Sequence, residues 1–156
     1  MAEVDSSLMN LEKKSPTPPN VHILVADDHE IMRMGIRNLL ECRPHWKVCA
    51  EAGTGQEAIN KARQYNPDVI IMDITMPVMN GLDAASYIMK SQPQIPIVLF
   101  SLYLSQDLIT NFESTGIRAA VAKGDAARDL VDAVETVLHG GTFFPGRVRR
   151  APSMTA

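Results

Sequence analysis

From residue 21 onward the chain alternates short, continuous apolar runs with longer stretches in which apolar residues recur every three or four positions. The short runs are HILVA (22–26), WKVCAE (46–51), DVIIMD (68–73), IPIVLFS (95–101) and RAAVAK (118–123). Their near-continuous apolar character suits strands buried on both faces, as in a parallel sheet. The intervening stretches predict helices over 30–41, 56–65, 82–90, 105–114 and 125–139, the last with Leu130, Val131, Val134, Val137 and Leu138 at helical spacing. Strand and helix alternating through short connections is the pattern of βαβ units, so the chain is expected to form an α/β, doubly wound domain of five βα units. Before it, SPTPPN carries three prolines that deny helix and ladder hydrogen bonds, and residues 1–20 read as a disordered leader. The units end by residue 141, and residues 142–156 read as a linker or tail with no effector domain after it.

Composition narrows the class. A chain of 156 residues, 46% of them hydrophobic, suits one packed domain. Its formal charge of -3 lacks the basic footprint of a nucleic-acid binder, so protein partners are expected and direct nucleic-acid contact is not. No basic segment followed by an apolar one opens the chain, and no apolar run approaches the ~18 residues of a membrane span. A cytoplasmic protein without membrane contact is expected. Cys42 and Cys49 stand outside any CxxC or His-rich context and read as packed thiols in a reducing compartment.

The candidate chemistry lies at the strand ends, because functional groups in an open parallel sheet collect beyond the carboxyl ends, where strand order reverses. The first strand runs into Asp27 and Asp28, the third into Asp73, the fourth into Ser101 and the fifth into Lys123, while the second reaches Glu51. Three carboxylates brought within a few ångströms repel one another, and a divalent cation resolves the conflict. Magnesium takes hard oxygen ligands and seldom a complete protein cage, so Asp28 and Asp73 are expected to bind it directly and Asp27 through water. A phosphoryl group beside that ion needs donors, which Lys123 and Ser101 can supply. An aspartate can itself be the nucleophile and form an acyl phosphate, and Asp73 is the candidate.

VADDHEIMRMGIRNLL resembles the acidic pair and first helix of the receiver domains of bacterial two-component response regulators. DVIIMDITMPVMNGLD resembles their phosphoacceptor strand and loop, and VLFS and VAK resemble their hydroxyl and lysine strand ends. The likeness covers residues 21–146 and is closer to the NarL/FixJ-like receivers that usually carry a C-terminal helix-turn-helix. It implies a flavodoxin-like (βα)5 fold with strand order 2-1-3-4-5 and a receiver over residues 21–141. It further implies Asp73 as phosphoacceptor, Asp27 and Asp28 as metal acids, Thr75 as a ligand of Mg2+ through its backbone carbonyl, Lys123 as the phosphate-pairing cation and Ser101 as the switch hydroxyl. The phosphoryl donor would be a sensor histidine kinase or phosphotransfer protein. The output would be a shift of the face made by the fourth helix, fifth strand and fifth helix, with transcription regulation where a DNA-binding domain follows. Such a domain signals and is not an enzyme beyond its own phosphorylation and dephosphorylation. Two positions depart from the family pattern: Ala120 replaces a common aromatic three residues before the lysine, and Gly124 replaces a common proline after it.

Plainer readings compete for the same residues. Asp28 can serve as a helix N-cap, and His29 reads as a first-turn helix residue rather than a ligand. GTGQEA (53–58) satisfies a dinucleotide-binding pattern but equally a tight turn before a helix. A magnesium phosphatase of the haloacid-dehalogenase kind lacks its general acid here, since Thr75 stands two residues after Asp73. The remaining alternative is a non-phosphorylated receiver-like module that dimerises. The first helix, with Ile31, Met32, Met34, Ile36, Leu39 and Leu40, has more apolar surface than one core stripe needs and makes a homodimer a candidate.

Overall fold

The computed structural model describes residues 19–146. Five strands, β1 (Val21–Ala26), β2 (Trp46–Ala52), β3 (Val69–Asp73), β4 (Ile97–Ser101) and β5 (Ala119–Ala122), alternate with five helices. These are α1 (Glu30–Glu41), α2 (Gly55–Tyr65), α3 (Gly81–Ser91), α4 (Gln106–Thr115) and α5 (Ala126–Leu138), with a 3-10 turn at Lys123–Asp125 leading into α5. The strands form one parallel sheet in the order β2-β1-β3-β4-β5, as expected. Except at Pro19 and Asn20, the leader lies outside the described residues, as does the tail beyond residue 146.

Successive strand residues feed two cores on opposite sheet faces. Ile23, Val25, Val69, Ile71, Val98 and Phe100 pack with Ile36 and Leu40 of α1 and with Leu130, Val134 and Val137 of α5. Leu24, Ile70, Met72, Ile97 and Leu99 pack on the other side with Ala58, Ala62, Ile88, Ile109 and Phe112 of α2, α3 and α4. This double burial explains why the strands read as continuous apolar runs rather than alternating ones.

Element boundaries follow from local chemistry. β4 starts at Ile97 rather than 95 because Pro96 has no N–H to give, although its carbonyl accepts the Ile70 N–H at 3.1 Å. Ser105 caps α4 by accepting the Leu108 N–H, and Asn80 caps α3 by accepting that of Asp83. In β2 the register jumps from Val48, opposite Ile23, to Ala50, opposite Leu24, leaving Cys49 as the extra residue of a bulge. Cys49 is half-buried, and burial pushes its thiol pKa up. Cys42 is exposed at the end of α1, so the expectation of two packed thiols fails there: its position falls on the polar side of the helix.

The packed unit also continues past residue 141. Phe143 bridges Ala119, donating its N–H to the Arg118 carbonyl at 2.9 Å and accepting the Ala120 N–H at 3.0 Å. Phe143 and Phe144 are both buried, one in each core. Residues 142–144, read from the sequence as tail, are therefore an edge to β5. No described helix is long and apolar enough to cross a membrane.

Candidate functional site

β1 and β3 are neighbours with Ala26 opposite Met72, so Asp27, just past β1, and Asp73, the last residue of β3, emerge side by side. Both are almost fully buried. Lys123, the first residue of the 3-10 turn rather than the last of β5, places its ammonium between them, 2.9 Å from Asp27 Oδ2 and 3.2 Å from Asp73 Oδ2. The same ammonium lies 5.8 Å from the centroid of the buried Phe100 ring. Burial works against the Lys123 ammonium, but its bond to Asp27 and the charges of Asp27 and Asp73 outweigh that and hold its pKa above the ordinary value. Asp73 is pushed above the usual carboxylate range, first by burial and then by the charge of Asp27, with Lys123 offsetting only part.

The chain after β1 folds back on its own acid. Asp27 Oδ1 accepts the His29 N–H at 2.8 Å, which turns the His29 ring over the acids, with Nδ1 3.3 Å from Asp27 and 3.0 Å from Asp28. Ligand atoms of Asp27, Asp28 and His29 all lie within 4.8 Å of one another. His29 occupies the N-cap position of α1 without a side-chain capping bond, so Asp28 is not used as a cap. The buried carboxylates of Asp27 and Asp73, which share one ammonium, and the partly exposed carboxylate of Asp28 form an oxygen-rich set with excess negative charge that suits a hard divalent cation. Within it, Asp73 is joined to Asp27 through Lys123. Thr75 donates its N–H to Asp73 Oδ1 at 3.2 Å, keeping its own carbonyl in the same loop.

Two features were not anticipated from the sequence. Arg33 of α1 donates to the Asp27 carbonyl at 2.6 Å and pairs with Glu51 at 3.0 Å, fixing the end of β1 from behind. Glu51, which also pairs with Arg37, is thereby turned toward α1 and away from the acid cluster. The other is the orientation of Ser101: it ends β4 beside β3, but its hydroxyl donates to the Tyr103 carbonyl at 3.1 Å rather than to Asp73.

Glycines hold the loop after Asp73 in place. Gly81 donates to the Ile74 carbonyl at 2.7 Å, and a Cβ there would meet the Asp73 carbonyl oxygen at 1.8 Å. Gly55 donates to the Met79 carbonyl at 3.0 Å, where a Cβ would stand 2.3 Å from that oxygen. The GTG segment thus serves close contact between two loops, a structural use of its dinucleotide-like spacing.

Comparison with known proteins agrees with this fold. Residues 23–135 match the family described as the response regulator receiver domain. The chain is 31% identical over 82% of its length to the transcriptional regulatory protein DegU of Brevibacillus brevis. It is 35% identical over 87% of its length to the transcriptional regulatory protein LnrK of Bacillus subtilis. It spans 54% and 59% of those two proteins, somewhat over half of each. Among solved structures, a LuxR-family two-component response regulator from Aurantimonas sp. superposes with a TM-score of 0.75 at 31% identity, over 80% of this chain and 89% of that one. The non-phosphorylated receiver domain of RcsB from Escherichia coli does so with a TM-score of 0.75 at 27% identity, over 81% and 98%. A structure of RcsB dimers bound to DNA matches with a TM-score of 0.74 at 27% identity, over 81% of this chain and 65% of that one. With its sheet order and its match over residues 23–135, the chain belongs to the receiver domain family of two-component response regulators.

Proposed function

We propose that Asp73 accepts a phosphoryl group from the phosphohistidine of a sensor histidine kinase or phosphotransfer protein, and that the phosphorylated state switches a protein-interaction surface. The observation that carries this reading is the Lys123 ammonium set between the buried carboxylates of Asp27 and Asp73. Asp73 Oδ attacks phosphorus while the P–N bond breaks and its electron pair returns to the imidazole nitrogen. Lys123 then pairs with a phosphoryl oxygen as well as with Asp27. Asp27, Asp28, Asp73 and the Thr75 carbonyl would hold Mg2+, which supplies charge neutralisation at the acids and at the phosphoryl oxygens. Ser101 exchanges its bond to the Tyr103 carbonyl for one to the phosphoryl group, and its strand end and the α4–β5–α5 face shift between two populations. Ala120, small and fully buried in β5, provides no ring to follow that movement.

In this reading the domain works in the cytoplasm as the receiver of a transcription regulator, with DNA contact made outside residues 19–146. Ile31 and Met34, one turn apart on α1 and 85% and 56% exposed, are its candidate homodimer contact. The test is a titration with beryllium trifluoride and Mg2+ followed by amide NMR. The expected result is a shift at Ser101 and along α4 and β5 that requires both components and disappears in Asp73→Asn. A folded protein that shows no shift would favour the non-phosphorylated dimerising module instead.

A further inference from the structure

Asp28 stands between two peptides that a single residue anchors. Arg33 donates through Nη1 to the Asp27 carbonyl at 2.6 Å, and its backbone N–H donates to the His29 carbonyl at 3.1 Å. The first of these bonds fixes the rigid peptide plane that Asp27 shares with Asp28, and with it the direction in which Asp28 leaves the strand end. Asp27 is held at its other polar atoms as well: its N–H by the Ala52 carbonyl at 2.9 Å, Oδ1 by the His29 N–H at 2.8 Å and Oδ2 by Lys123 at 2.9 Å. Among the described residues the Asp28 carboxylate pairs with the exposed His29 ring alone, at 3.0 Å. Its placement therefore depends on the backbone that carries it.

Arg33 is itself firmly held. Its side chain is only 19% exposed, and Nε donates to Glu51 Oε1 at 3.0 Å, so a planar guanidinium spans two acceptors in one fixed fork. Glu51 lies in β2 opposite Val25, accepts Arg37 as well, and its carbonyl accepts the Lys61 ammonium from α2. Arg37 brings the same charge to the same carboxylate, but its bond ends there.

We propose that Arg33 is a positioning residue for the acid pair: by anchoring the Asp27 and His29 carbonyls it sets Asp28 where it and Asp27 serve one divalent cation. This inference rests on Asp27 and Asp28 being metal acids. Charge alone predicts the opposite sign, since a cation beside the acids repels Mg2+ and its removal would tighten binding. Positioning predicts that removal weakens it.

The test follows the amide signals of Asp27, Asp28 and Thr75 as Mg2+ is added to the parent, Arg33→Met, Arg33→Lys and Arg37→Met, without phosphoryl donor. Arg33→Met is expected to weaken Mg2+ binding ~10-fold, as loss of a group that supports a metal ligand does. Arg33→Lys, whose one nitrogen can still bond the Asp27 carbonyl, should recover part of that loss, and Arg37→Met should bind as the parent does or more tightly. At saturating Mg2+, the rate of adduct formation with acetyl phosphate should return in Arg33→Met to near the parent's, because Asp73 and Lys123 are untouched. A rate that stays low at saturation would overturn the inference, by placing the defect outside metal binding. Equal Mg2+ binding by Arg33→Met and Arg37→Met would overturn it alone, whereas a parent that binds no Mg2+ would overturn the metal reading with it. If Arg33→Met does not fold, Arg33→Lys decides, with binding weaker than the parent's expected and parental binding overturning the inference.

Discussion

Val78, in the loop between Asp73 and α3, has φ +69° although it is β-branched and 87% exposed. It centres a three-residue turn closed by the Met79 N–H on the Pro77 carbonyl at 2.7 Å, the rare and strained hand of γ-turn. The two other non-glycine residues with positive φ in the described chain are His45 and Asn66, types that enter this region more readily. The turn persists because the Met79 carbonyl is held by Gly55 and the following Gly81 by Ile74. Replacing Val78 by glycine relieves ~1–3 kcal/mol of backbone strain. Glycine's freer unfolded state returns ~0.4–1 kcal/mol of that. Little packing is lost at so exposed a position, so the net gain is about 1 kcal/mol, or roughly 4 °C in Tm for a domain of this size. Thermal melts and urea midpoints of Val78→Gly and Val78→Ala measure it, with alanine gaining less because it keeps a Cβ. A glycine variant no more stable than the parent, or an alanine variant that equals it, would refute the strain argument.

Gly35, within α1, has room for a side chain, since a Cβ there would meet nothing within 4 Å, and its substitution by alanine should gain ~0.5–1 kcal/mol. Gly81→Ala should lose more than ~3 kcal/mol because its Cβ would occupy the Asp73 carbonyl, and urea midpoints of the pair separate the two cases. Lys123→Met leaves two buried carboxylates without their cation and should cost ~3–5 kcal/mol at neutral pH, a loss that shrinks on acidification as the acids protonate. A pH-independent loss would indicate that packing alone was removed. Asp73 titrates above its unfolded value, so the folded state binds more protons between the two pKa values and stability falls as pH rises through that window. Asp73→Asn should therefore be more stable than the parent at neutral pH without divalent ions, with the advantage fading toward pH ~4, near the unfolded carboxyl pKa. Melts across that range check the sign.

Much of this domain is legible because its strands are buried on both faces, which makes them read as uninterrupted apolar runs. α1 has the expected limits, Glu30–Glu41, since its apolar period starts and stops cleanly. The errors at β4 and α4 come from Pro96 and from Ser105, which sit at the edges of elements rather than in them. Phe143 and Phe144 escaped because a bridge to β5 is a long-range contact with no local period. At the site, residue types at strand ends were readable. The directions of side chains were not. The His29 ring reaches the acids only because Asp27 captures the His29 N–H, and Glu51 faces α1 only because Arg33 and Arg37 hold it. Likewise, the Ser101 hydroxyl donates to the Tyr103 carbonyl, a choice that its place at a strand end does not reveal.

The most direct test of phosphoacceptance at Asp73 is intact-protein mass spectrometry after incubation with acetyl phosphate, with and without Mg2+, beside Asp73→Asn. One phosphoryl adduct that needs both Mg2+ and Asp73 is expected. An adduct that survives in Asp73→Asn, or none in a protein verified as folded, would contradict it.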